Sequence, residues 1–485
     1  MWLFVKENFW ITLIIINYVI AISAVITILL KNINPTRTLS YIIVLVFFPF
    51  LGLIIYYLFG QEYRKNKIFN RKNILNNKLI KNLGQELEAD YQLFKRENSD
   101  VFDDKIRLVK LLRKSEKSPL TISNKAQIIK NGEAKFKLLL EDLKQAKDHI
   151  HLEYYIMRDD RIGSKVIDIL CDKAQNGVSV RLCIDDVGSS LTRKTKQRLK
   201  NCGVELFSFM PVLFSGFTGK MNYRNHRKIA IIDGHIGYLG GINIEDEYVN
   251  DGHNKVFWRD THLRLEGEAV HALQVHFLIN WEFVSDCKLK ITKNFFPKVA
   301  IEEEIAVQIA ASGPDTDWAN IMEVIFTSIV TAEKYVYITT PYFIPNDQII
   351  TAMQVASKSG VDVRLILPDT SDAWITKHAS DSYLQELLDA DVKVYQYKKG
   401  FIHSKTIVVD DIFGSIGTAN MDYRSFNINF EINAMIYNEH LSLELKQHFM
   451  DDLNDSLQLE PSVWKKRPKI QKFKESYSRL WAPLL

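Results

Sequence analysis

Two stretches decide the fold. The first is H-R-K-I-A-I-I-D-G-H-I-G-Y-L-G-G-I-N, from His226 to Asn243. The second is H-S-K-T-I-V-V-D-D-I-F-G-S-I-G-T-A-N, from His403 to Asn420. Both read H-x-K-x4-D-x6-G-[GT]-x-N, at a constant offset of 177 residues. Working outward, GVSVRLCIDD (Gly177 to Asp186) is echoed by GVDVRLILPD (Gly360 to Asp369). Strand-like runs precede each, HIHLEYYI and YVYITTPYFI. β-Branched runs that alternate with amphipathic stretches are β–α–β texture with mostly buried strands. A unit of about 180 residues that occurs twice predicts two similar α/β halves related by a pseudo-two-fold axis.

On a strand, side chains alternate between faces. His226 and Lys228 therefore point the same way, as do His403 and Lys405. Asp233 and Asp410 complete the motif's candidate catalytic set. They sit an odd number of residues from those side chains, so they point away and are better placed to pin the following turn. Asn243 and Asn420 return near the lysines as phosphate-binding amides. Each half offers one imidazole, one ammonium and one amide, and two halves face to face surround one anion. That set suits a phosphodiester. Lysines meet the non-bridging oxygens and amides add directed donors. One neutral imidazole attacks phosphorus while the other, protonated, serves the leaving oxygen. A lone histidine on an apolar strand is usually a satisfied core residue; the doubled constellation argues for a site. No metal is required, and the sequence offers no carboxylate cluster of the two-metal kind.

The chain has 485 residues, 47% hydrophobic and 25% charged, which excludes disorder as its main state. Its net charge of +4 is too mild to announce a nucleic-acid binder, and no extended basic-aromatic channel is evident. The four cysteines form no C-x-x-C pair, against a disulfide scaffold or structural zinc and in keeping with a cytosolic body. Phe9 to Leu30 is uncharged over 22 residues. As a helix it spans about 33 Å against a bilayer core of about 30 Å. Thr38 to Gly60 is again uncharged. The alternatives are a signal peptide or a buried core helix, but a second apolar span argues against a signal peptide. Arg64, Lys65, Lys67, Arg71, Lys72, Lys78 and Lys81 follow the second span, whereas the intervening loop carries Lys31 and Arg37. That bias predicts a membrane hairpin with the N-terminus and body in the cytoplasm. The basic stretch either fixes topology, attracts anionic head groups, or does both. The expected organisation is a hairpin at 1–60 (spans 9–30 and 38–60), a basic juxtamembrane linker at 61–115, and halves at 116–300 and 301–485.

The double motif resembles the phospholipase D superfamily. The N-terminal hairpin, the HLEYY run, the NYRNHRKI context and the C-terminal SRLWAPLL resemble bacterial cardiolipin synthases within it. The resemblance implies two α/β halves, each a mixed β-sheet flanked by helices, that share one cleft. It implies transfer of a phosphatidyl group from one phosphatidylglycerol to another, giving cardiolipin and glycerol, with membrane lipids as partners and no cofactor. It implies a phosphohistidine at His226, with His403 as general acid and then base. It also implies that Asp260, in FWRDTHLRLEG, and Glu431, in NFEINAMIY, hydrogen-bond the histidines and orient them. Gly241 stands where Ser or Thr is common, whereas Thr418 keeps the hydroxyl.

Exchange of one phosphodiester for another needs no nucleotide. Gly216 to Met221 lacks the spacing of a P-loop, and the carboxylate motif of CDP-alcohol phosphotransferases is missing. Hydrolysis by the same histidines, on lipid or nucleic acid, is the alternative; a catalytically silent membrane scaffold is the third reading. The apolar stretch from Met210 to Phe217 either receives acyl chains or is a buried loop. His149 and His151 share a strand face without an evident third metal ligand, and His271 and His276 have a spacing unsuited to a joint site. Glu153, Tyr155 and Tyr342 either line the cleft or pack.

Overall fold

The β-branched runs around the two motifs become strands of one large sheet. The computed structural model describes residues 9–30, 35–48, 50–53, 72–97, 105–116, 118–210, 223–314 and 316–482. Among them, fifteen strands form this sheet. Its middle pair is Thr121–Lys130 and Glu304–Ser312, which run antiparallel. Outward from Thr121–Lys130 come Thr261–Gly267, Ile236–Gly240, Lys228–Ile232, His149–Tyr154, Ser179–Asp185 and Glu205–Phe209. Outward from Glu304–Ser312 come Glu431–Tyr437, Phe413–Gly417, Thr406–Val409, Tyr335–Thr339, Asp362–Pro368 and Lys393–Tyr397, with Ser456–Gln458 at the edge.

Both arms mix antiparallel and parallel pairing in the same order. His149–Tyr154, Ser179–Asp185 and Glu205–Phe209 are parallel to one another, as are Tyr335–Thr339, Asp362–Pro368 and Lys393–Tyr397. Parallel strands are covered on both faces; every residue of His149–Tyr154 is buried, the polar His149, His151 and Glu153 included. One core gathers Phe136, Leu139, Leu152, Val166 and Leu182. The other gathers Ile321, Val324, Val336, Leu365 and Leu384.

Part of the stretch read as a linker is packed instead. The helices Lys78–Glu97 and Ile106–Ser115 place Tyr91, Leu108, Val109 and Leu112 in the second core. The spacing of Leu108, Val109 and Leu112 forms one apolar stripe on a helix otherwise rich in charge.

The N-terminal helices form a compact unit of their own. Phe9–Leu30 is a helix of 22 residues, the one helix among the described residues long and apolar enough to cross a membrane. Its Ser23 and Thr27 hydroxyls donate to the carbonyls of Val19 and Ser23, so these polar groups are satisfied within the helix. A second helix, Pro35–Phe47, follows, and Leu45 is buried with Ala21 and Ile28. The far end of the expected second span, residues 54–60, lies outside the described residues.

Candidate active site

Two short backbone pairings bring the motifs to each other's carboxylates. Gly400–Ile402 runs parallel to Phe257–Arg259 with Ile402 beside Arg259. The next residue on each side is His403 and Asp260. Asn225 bridges Phe430, and the next residues are His226 and Glu431. The backbone N–H of His403 donates to Arg259 O at 2.7 Å, and that of His226 to Phe430 O at 3.0 Å. Nδ1 of His403 lies 2.8 Å from Asp260, and Nδ1 of His226 lies 3.0 Å from Glu431. Each imidazole is thus held by the carboxylate that follows the other motif. With Nδ1–H donated to a carboxylate, Nε2 of the neutral ring keeps its lone pair for chemistry.

The lysines are buried and curl back. Nζ of Lys228 donates to His226 O at 2.6 Å, and Nζ of Lys405 donates to His403 O. Burial, with the charge of Lys405 adding, pulls Lys228 down to about 7. Burial likewise pulls Lys405 down to about 8. Burial lowers the proton affinity of His226, and that of His403 much further, with both lysines acting on His403. Burial pushes Asp260 up to about 7. Burial opposes the ionised form of Glu431 as well, but the charge and hydrogen bond of His226 hold it below the usual carboxylate range. The cleft is therefore a dry place crowded with proton-binding nitrogens, and an entering anion relieves it.

The amides are engaged. Asn243 accepts from Ile156 N at 3.2 Å and donates to the Tyr248 hydroxyl at 2.8 Å; that hydroxyl lies 3.5 Å from His403 Nδ1. Asn420 is buried beside Asp422. Tyr248, unnoticed in the sequence, thus links the first amide to the second histidine; its one signal is a lone aromatic five residues after Asn243. Thr418 donates to Glu431 at 2.6 Å. At Gly241, the equivalent position, a Cβ would lie 2.1 Å from Asp260 Oδ1, so the glycine makes room for that carboxylate.

Asp233 and Asp410 do not join this group. They lie at the far ends of Lys228–Ile232 and Thr406–Val409, roughly 20 Å of extended chain from the histidines. Their backbones are left-handed, with φ of 49° and 55°. Asp233 accepts from the amides of Lys147, Asp148 and His149 at 2.8–3.0 Å. Asp410 accepts from those of Glu333, Lys334 and Tyr335 at 2.8–3.0 Å. Each ties the entry of the neighbouring strand, which corrects their inclusion among the catalytic side chains.

The comparison with known proteins agrees with this geometry. The family described as "Cardiolipin synthase, PLD-like domain" matches residues 139–281 and 325–453, which hold both motifs and both carboxylates. The chain belongs to the PLD-like cardiolipin synthase family. A "Phospholipase_D-nuclease N-terminal" match covers residues 19–61. The chain is 42% identical over 462 residues to a cardiolipin synthase of Alkalihalophilus pseudofirmus, covering 95% of this chain and 91% of that one. It is 39% identical over 493 residues to one of Geobacillus sp., covering 100% and 97%. A phosphatidylserine synthase of Haemophilus influenzae shares the fold, with a TM-score of 0.62 at 13% identity over 78% of this chain and 99% of that one.

The remaining candidates fall around or away from the family's doubled motif. Glu153 is buried and accepts from Asn225, the neighbour of His226, at 2.8 Å. The Tyr155 ring lies edge-on to His226, 4.9 Å between centroids. The Tyr342 hydroxyl donates to Asp372 at 2.7 Å. His149 and His151 are buried on either side of Gln274. His271 bonds Pro297 O at 3.0 Å, and His276 lies 3.5 Å from Glu116. Among the described residues, no three His, Cys, Asp or Glu side chains are grouped to hold a metal ion. Of the apolar stretch from Met210 to Phe217, residues 211–217 lie outside the described residues.

Proposed function

We propose that the protein is a cardiolipin synthase that transfers a phosphatidyl group from one phosphatidylglycerol to a hydroxyl of a second, releasing glycerol. The observation that carries this reading is the crossed pair His226–Glu431 and His403–Asp260 between two buried lysines, in a chain of this family. Nε2 of neutral His226 attacks phosphorus, and His403, which takes up a proton once the bound phosphodiester anion offsets the neighbouring cations, donates it to the departing glycerol oxygen. The phosphatidyl group then sits on His226. His403, now neutral, takes the proton of the incoming hydroxyl, whose oxygen attacks phosphorus and releases His226. Bonds made and broken balance, and no nucleotide is consumed.

Glu431, kept ionised, supports the positive charge that His226 acquires, which favours His226 as the nucleophile. Lys228 and Lys405 neutralise the non-bridging oxygens, and Asn243 and Asn420 lend amide donors. His226 and His403 expose 12% and 9% of their side chains. The rings are therefore nearly enclosed, and an acceptor hydroxyl must enter the cleft to be activated.

The two arms of the sheet act as halves, 116–300 and 301–485, related by an approximate two-fold axis through the cleft. The protein is membrane-associated through its N-terminal apolar helix. The finer reading is a two-span hairpin at 1–60 with a basic stretch after it that keeps the body cytoplasmic. Purified protein given labelled phosphatidylglycerol tests the activity. Cardiolipin and glycerol in equal amounts are expected; phosphatidic acid alone would identify a hydrolase and overturn the transferase.

A further inference from the structure

The helix Lys469–Arg479 turns its polar side to the protein and its apolar side outward. It packs on the helix Trp374–Leu388. Glu475 and Ser478 are buried, and Gln471 reaches His378 at 3.1 Å. Arg467, just before the helix, holds Glu475 at 2.6 Å, and Arg479 holds Glu386 at 2.9 Å. These contacts fix the rotation of the helix.

The outward side carries Ile470, Phe473, Tyr477, Leu480 and Trp481, which are 63%, 68%, 46%, 77% and 41% exposed. At 100° per residue they fall within an arc of about 100°. Lys469, Lys472 and Arg479 occupy the arc between this stripe and the packed side. Scattered exposed apolar residues need no explanation, but a continuous aromatic and aliphatic stripe at helical spacing does.

We propose that the helix Lys469–Arg479, with Leu480 and Trp481 that follow it, is a membrane-contact segment that lies in the headgroup region of an anionic bilayer, its apolar stripe directed toward the acyl chains. Charge decides the occupant. From Lys465 to Trp481 there are seven cations (Lys465, Lys466, Arg467, Lys469, Lys472, Lys474 and Arg479) against one anion, Glu475. Glu475 is buried against Arg467. Two copies of this face repel each other, whereas anionic lipid attracts it. A basic polar face beside a stripe rich in aromatic residues is the composition of helices that lie in the interface plane. The inference goes beyond the reaction proposed above, since it concerns how the body meets its substrate surface.

The test uses the full chain reconstituted in vesicles of phosphatidylglycerol and phosphatidylcholine. Cys202 and Cys287, which are partly or fully exposed, are replaced by Ser. An environment-sensitive fluorophore is placed by Phe473→Cys and, as a control, by Lys194→Cys. Blue-shifted emission and quenching by brominated acyl chains are expected at position 473 and not at 194. The variant I470S/F473S/L480S should lose about tenfold in rate on vesicles. It should retain its melting temperature and its rate on a short-chain soluble phosphatidylglycerol. A label at 473 that stays in water, or undiminished vesicle rates, would overturn the proposal. So would cross-linking through 473 to a second copy. The labelling arm stands even if the chain makes no cardiolipin.

Discussion

Nδ1 of His226 and the carboxylate of Glu431 lie 3.0 Å apart although 205 residues separate them along the chain. His403 and Asp260 repeat the relationship at 2.8 Å across 143 residues. Each histidine–carboxylate pair therefore joins segments from opposite arms of the sheet, and the proposed reaction depends on both pairs being assembled. Glu431→Gln keeps the shape and removes the charge that steadies the His226 imidazolium. A fall in kcat of about 10²-fold or more is expected, with KM changed little. Asp260→Asn should act on His403 and distort the pH profile of kcat. Full activity in both variants would reject the orienting role.

The division of labour between the histidines can be read from a substrate with a good leaving group. A phosphatidyl nitrophenyl ester needs no acid to expel nitrophenolate. With it, His403→Ala should release one equivalent of nitrophenol rapidly and then stall, because nothing activates the acceptor hydroxyl. His226→Ala should show no burst. The opposite pattern would exchange the two roles, and a burst in neither would argue against the covalent intermediate.

The lysines give the pH dependence a sign. Burial lowers Lys228 to about 7 and Lys405 to about 8 in the empty cleft, and a bound phosphodiester raises both. Binding a non-reacting short-chain phosphodiester should thus take up protons between about pH 7 and 9. Affinity should fall as pH rises through that window and level off below it. Calorimetry in buffers of different ionisation enthalpy reads the uptake directly. Without substrate, the unfolded chain holds these protons more tightly than the folded one, so each lysine costs on the order of a few kcal/mol near neutral pH. Lys228→Met should therefore raise Tm while activity falls by about 10³-fold. A lower Tm would mean that the ammonium stabilises the fold.

Gly241 and Thr418 occupy equivalent places but treat their carboxylates differently. A Cβ at 241 would lie 2.1 Å from Asp260 Oδ1, whereas Thr418 donates to Glu431 at 2.6 Å. Gly241→Ala should push Asp260 off His403 and lower kcat by an order of magnitude or more. Thr418→Val removes a donor that helps keep Glu431 ionised. The acidic limb of its pH–rate profile should move upward, and an unmoved limb would count against the bond.

Sequence period accounts for much of this site and not for all of it. Alternation along a strand put His226 with Lys228 and turned Asp233 and Asp410 away. It could not assign each carboxylate to its histidine. That depends on a three-residue parallel pairing and a single bridge between distant segments, too short to leave a pattern. The packing of Leu108, Val109 and Leu112 is hidden for a related reason: their stripe lies in a helix of ten residues, four of them charged. Tyr248 was invisible because its partners, Asn243 and His403, meet only once the halves dock.

Asp410 separates the motif's structural part from its chemical part. Besides three backbone amides, it holds Lys105 at 3.0 Å, and that lysine is 2% exposed. Burial works against its ionised form, but the amides and Lys105 hold Asp410 below the usual carboxylate range. The stability it supplies is therefore fully present above the unfolded value near 4 and lost as pH falls through the folded value. Asp410→Ala leaves a buried ammonium unpaired and should cost about 3–5 kcal/mol. Asp410→Asn should lower stability less and flatten its acid limb below about pH 4. At a temperature where both variants are folded, each should turn over within about threefold of the parent. Intact melting with a 10²-fold loss of kcat would return Asp410 to the chemistry; melting that falls while kcat holds makes it the tie between the turn and the next strand.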